Sequence, residues 1–178
     1  MKYDVLGITG HRPDKLFGYD MRRPEYENMR KSFQKLILEL HVERIVCGGA
    51  LGADLLFLEA AVQLNQMLKS AMASDESLTG PVRLTEIVIA APFPGYDSRW
   101  KKADREKLAE LQKHCETIYI SDFYTPYAYQ KRNEYIVDVS DIILAVWDGS
   151  PSGTKNCVEY AQKRRKPIII SRPEYFTM

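Results

Sequence analysis

One feature constrains the fold of this chain more than any other: short apolar runs alternate with longer segments of helical periodicity. The runs fall at residues 3–8, 44–47, 85–91, 117–120, 141–147 and 167–171. Amphipathic stretches separate them at 24–40, 53–69, 101–114, 128–139 and 154–165. In the first stretch Met29, Phe33, Leu36, Ile37 and Leu40 share one face. In the second, Leu56, Leu58, Ala60, Ala61, Leu64 and Leu68 form a broad apolar face. Parallel strands need crossover connections, and a helix is the usual one, so this order specifies an α/β fold. Runs such as IVIAA and IILAVW lack polar alternation, which fits strands covered on both sides. We therefore expect a single-domain doubly wound, mostly parallel sheet with helices on both faces, spanning residues 1–178. Residues 70–83 (SAMASDESLTGPVR) break the pattern and read as a mobile polar connection.

Composition removes several function classes. Lys and Arg total 25 and Asp and Glu 24, a net charge of +1, so nucleic acid is an unlikely partner. Three cysteines, Cys47, Cys115 and Cys157, with no short spacing argue against a disulfide framework or zinc site and suit a reducing cytoplasmic setting. No His/Cys/Asp cluster has metal-ligand spacing, and no apolar run approaches a membrane span. The expected location is cytoplasmic, with no membrane and no metal.

Ligands of open parallel sheets bind at the carboxyl ends of the strands, near the point where strand order reverses. That rule turns five loops into candidates: 9–12, 48–54, 92–96, 121–126 and 148–154. In GGALGAD, Gly48, Gly49 and Gly52 follow a strand and open a helix, with Ala50 and Asp54 beside them. Such a turn either exposes helix amides to an anion or is a tight corner. Ser152, Gly153 and Thr154 stand at a second helix start, as caps or as phosphate contacts. Thr9, Gly10, His11 and Arg12 form the first loop, where Arg12 suits a phosphate or a surface carboxylate. Phe93, Tyr96 and Trp100 are loop aromatics, able to stack on a base or to plug the core edge. Lys131-Arg132-Asn133 heads the helix before the last long strand, either as a cation and an amide for the same crevice or as a solvated helical turn. The run 163–166 (KRRK) reads as solvated surface.

The motifs ITGHRP, CGGALGAD, PFPGYDSRW and KRNEYIVDVSDIILAVWDGSPSGTKNCVEYA together resemble, in order and spacing, the YpsA-like branch of the SLOG superfamily. That superfamily joins the DNA-processing protein DprA (Smf) with LOG-type nucleotide phosphoribohydrolases. The resemblance implies a Rossmann-like sheet and a crevice for a nucleotide derivative. It carries site roles onto Thr9, Gly10, His11, Arg12, Gly48, Gly49, Gly52, Asp54, Arg132, Asn133, Ser152, Gly153 and Thr154. One departure matters: the hydrolases' PGGxGTxxE is SPSGTKNC here, so Cys157 stands where the catalytic glutamate would be. Glu159, two residues on, points elsewhere on a helix.

Three functions remain open. The first is a sensor or binding module for a nucleotide, nucleotide sugar or related phosphate ester, with amides at 49–53 and 153–154 holding phosphates. The second is a nucleotide hydrolase or transferase with Asp54, Asp148, His11 or Glu159 as acid or base. The third, single-stranded DNA binding, suits the near-neutral charge least. Homodimerisation is an expectation taken from related folds, which pair through helices.

Overall fold

The computed structural model describes residues 3–74 and 85–177. The chain runs β1 (Val5–Gly10), a 3-10 turn (Pro13–Lys15), α1 (Pro24–Leu40), β2 (Arg44–Cys47), α2 (Ala53–Ser74) and β3 (Glu86–Ala91). It continues through α3 (Lys102–Gln112), β4 (Glu116–Tyr119), α4 (Ala128–Val139), β5 (Ile142–Val146), α5 (Gly153–Lys163), β6 (Ile168–Ser171) and a 3-10 turn (Pro173–Phe176). The sheet order is β4-β3-β2-β1-β5-β6, and all five pairings are parallel. This is the doubly wound, Rossmann-like α/β arrangement expected from the alternation.

The order explains the two layers. Strands β1 to β4 progress in one direction, and right-handed crossovers put α1, α2 and α3 on one face. The chain then returns past β1 to β5 and β6, which puts α4 and α5 on the other. The larger core packs Tyr26, Met29, Phe33 and Ile37 of α1 against Leu56, Phe57 and Leu64 of α2. The smaller one packs Ile136 and Val137 of α4 and Cys157 and Ala161 of α5 against Val46, Val88 and Ile143. β1 lies at the reversal, between β2 and β5, so the loops after β1 and β5 diverge there.

Several boundaries shift by a residue or two from the sequence expectation, and the ends of β1 and α2 shift for a clear physical reason. The first strand runs past Ile8 through Gly10, because Thr9 and Gly10 pair with Ala145 and Val146 of β5. The second helix extends beyond residue 69 to Ser74, with Ala71, Met72 and Ala73 favouring helix and Ser74 Oγ donating to the Ser70 carbonyl. Residues 70–74 are thus helical rather than connecting, and the rest of the expected connection, 75–83, lies outside the described residues. Among the described residues no helix is long and apolar enough to cross a membrane.

Candidate functional site

Three loops meet above the β1–β5 reversal. The His11 amide donates to the Val146 carbonyl at 3.0 Å, which extends the ladder by one residue and fixes the imidazole at the strand end. The His11 carbonyl accepts from the Ala53 amide at 3.1 Å. Gly52, beside that contact, has φ +98°, and a Cβ there would lie 2.4 Å from the His11 carbonyl oxygen. Only glycine lets the two loops approach this closely.

That packing corrects part of the phosphate expectation. The Ala53 amide is committed to His11, and the Ala50 and Gly48 amides favour the charged form of the Asp54 carboxyl. Within the stretch 49–53, the Ala53 amide is therefore withdrawn from any anion in the cleft. Gly49, at φ +62°, accepts from the Tyr96 hydroxyl through its carbonyl at 3.1 Å.

The start of α5 carries a side-chain cap. The Ser152 hydroxyl caps it by accepting from the Lys155 amide at 3.2 Å, and the Ser152 carbonyl accepts from Asn156. No backbone acceptor meets the amides of Gly153 and Thr154, as at the first turn of any helix. Asn133 Nδ2 donates to the Gly153 carbonyl at 3.3 Å, and Lys15 Nζ donates to Ser150 Oγ and the Pro151 carbonyl at 2.9 and 2.8 Å. These bonds seat the α5 start between the first loop and α4.

Arg132 is the charge at the centre. Its side chain is 10% exposed, and its Nη1 lies 3.7 Å from Asp54 Oδ2. Among the described residues Nε and Nη1 have no hydrogen-bond partner. The guanidinium lies against bare backbone at Gly48, where a Cβ would sit 1.5 Å from Nη1. Burial raises the Asp54 carboxyl above its ordinary value, and Arg132, the Ala50 and Gly48 amides and Arg12 oppose that shift. His11 is buried, and its Nε2 lies 2.7 Å from Asp148 Oδ1. The Ser150 hydroxyl and amide, with His11 adding, hold the Asp148 carboxyl well below the usual range.

Arg132, Asp54 and His11 face a half-open cleft of about 330 Å³, which touches both Ala50 and Thr154, whereas Asp148 is not part of its lining. Thr9, Gly10, His11, Arg12, Asp54, Arg132, Asn133, Ser152 and Gly153 also line it. Asp14, Lys15 and Tyr129, not singled out in the sequence, complete the wall. Lys15 follows directly on the RPD of the first loop, which was the available signal. A second cleft of about 340 Å³ adjoins it across Arg12, Ala50, Tyr129 and Arg132, and there lie Tyr96 and Trp100.

The remaining candidates lie elsewhere. Gly48, Gly49 and Gly52 shape the floor and line neither cleft. Phe93 packs edge-on to Tyr124 and Tyr129 and is a strut, not a wall. Glu159 pairs with Lys155 on the exposed side of α5, so it has no place in either cleft. Cys157 is fully buried behind Thr9, and burial pushes its thiol up to about 11. Among the described residues no group of His, Cys, Asp and Glu could hold a metal ion.

Comparison with known proteins agrees with this architecture. The chain is 33% identical over 144 residues to the SPbeta prophage-derived protein YoqJ of Bacillus subtilis (strain 168), covering 73% of this chain and 75% of that one. Its fold matches DNA processing protein A from Streptococcus pneumoniae with a TM-score of 0.62 at 16% identity, over 94% of this chain and 50% of that protein. It likewise matches the Helicobacter pylori protein, described with a single-stranded DNA binding mode, with a TM-score of 0.59 at 17% identity, over 94% of this chain and 64% of that one. The chain thus spans half to two-thirds of these longer structures. The YpsA family model, described as the YspA SLOG family, matches residues 6–170. By that match, which takes in all six strands, the chain belongs to the YpsA SLOG family.

Proposed function

We propose that the cleft at the β1–β5 reversal binds the phosphate of a nucleotide or nucleotide-derived ester, and that the protein is a binding or sensing module. The observation that carries this reading is Arg132. A guanidinium buried with two N–H-bearing nitrogens unpartnered is costly unless something supplies acceptors. An anionic oxygen in the cleft would do so, and the Gly153 and Thr154 amides at the α5 start would share the load. Thr9, Asp54 and Asn133 would then take the hydroxyls of the attached sugar.

The test is a thermal-shift panel of nucleoside mono- and diphosphates. Arg132→Met keeps the stem and removes the charge. The wild type should gain several degrees with at least one nucleotide at 100 times its Kd, equivalent to about 2.7 kcal/mol, and the variant should gain none. Equal stabilisation of both would overturn the reading.

The His11–Asp148 pair supports a second reading, turnover of the bound nucleotide with His11 as proton acceptor. Chromatography for released base or phosphate separates the two. Binding of single-stranded DNA, stated for the Helicobacter neighbour, would instead show as affinity that falls steeply with salt.

A further inference from the structure

We infer that the two clefts form one site with two compartments, and that the full ligand is a nucleoside diphosphate sugar with its base against Tyr96 and Trp100. This rests on the phosphate reading of the first cleft. The seam between the compartments is Arg12, Ala50, Tyr129 and Arg132, residues that line both. Whatever binds Arg132 therefore sits at a junction, with space on either side.

The two sides differ in chemistry. The first offers hydroxyls, an amide and a carboxyl from Thr9, Ser152, Thr154, Asn133 and Asp54, the groups that recognise a polyol. The second is walled by Tyr19, Tyr96, Trp100 and Tyr129, carries three arginines, and has no carboxylate in its lining. Rings and guanidinium planes together suit a flat base close to negative charge. The wall is already built: the Tyr96 hydroxyl is tied to the Gly49 carbonyl, and its ring meets Trp100 edge-on at 5.5 Å. Lys101 Nζ lies 5.9 Å over the Tyr19 ring, adding a cation at the rim.

Size and charge set the rest. Each compartment stands at the small end of the roughly 300–1,000 Å³ typical of ligand sites. Two arginines at the seam match two phosphates better than one, and a diphosphate linker joins a base on one side to a sugar on the other.

The experiment is titration calorimetry with inorganic pyrophosphate, nucleoside monophosphates and the matching nucleoside diphosphate sugars. One diphosphate sugar should bind at least ten-fold tighter than its monophosphate. Trp100→Ala should weaken the monophosphate and the diphosphate sugar alike, by five-fold or more, while leaving pyrophosphate affinity within two-fold of wild type. Trp100 packs on the core, so exposed Arg99 and Tyr19 provide a second variant, Arg99→Ala with Tyr19→Ala, expected to weaken the same two ligands three-fold or more. Equal affinity for monophosphate and diphosphate sugar, or equal loss for all probes in both variants, would overturn the inference and leave the phosphate reading standing. No binding of any probe to the wild type would sink both.

Discussion

Two glycines four residues apart separate stability from binding. At Gly52 a methyl group would strike the His11 carbonyl, which is backbone and cannot yield, at a φ that L residues avoid. Gly52→Ala should cost about 1–3 kcal/mol or more in urea unfolding. At Gly48 the same methyl would meet the tip of Arg132, which can swing aside. Gly48→Ala should therefore unfold with a smaller loss than Gly52→Ala, yet weaken phosphate ligands about ten-fold or more, because the guanidinium is displaced. A variant that binds normally would show that Arg132 does not face the ligand. The thiols answer a different question. Burial pushes Cys157 up to about 11 and Cys115 to about 12, and raises Cys47 further. Iodoacetamide at pH 8 should label the folded protein slowly and label all three cysteines once it is unfolded. Fast labelling of native Cys157 would mark it as a reactive group in place of the missing glutamate.

At the scale of elements, local signals were legible where local rules decide. The apolar periodicity of α1 and α4 and the β-branched run of β2 set their limits within the segments themselves, and their bounds read directly from the residues. The end of β1 was not legible, because Thr9 and Gly10 are strand only by pairing with residues 136 positions later. The engagement of the Ala53 amide at the start of α2 was hidden for the same reason: its acceptor is the His11 carbonyl, on another loop. The α5 start was legible, since Ser152-Gly153-Thr154 is a capped helix opening whichever partner it meets. Ser152→Ala should cost about 1 kcal/mol in denaturant unfolding. In the larger core Phe33 meets Phe57 edge-on at 5.0 Å, and Phe33→Ala should cost about 3–5 kcal/mol.

For the whole molecule, pH reports on the charge buried beneath the cleft. Burial raises the Asp54 carboxyl, so the folded chain holds that proton more tightly than the unfolded chain does. The stability this confers is complete below the ordinary carboxylate value and is lost as pH rises through the raised value. Asp54→Asn does not titrate, so the melting temperature of the wild type should fall relative to the variant as pH rises from about 4 toward neutrality. A gap that moves the other way would mean that Arg132 and the amides outweigh burial. The crevice itself was legible as a place before it was legible as a mechanism: alternation implies a reversal point, and a reversal point implies a crevice. Which groups remain open in it depends on contacts between the two ends of the chain. His11 touches Asp148, and Lys15 holds Ser150, across more than 130 residues. An occupant wedged between those ends would act as a clasp on the polypeptide. Amide hydrogen exchange should then slow in β6 and the closing 3-10 turn, far from any atom the occupant touches.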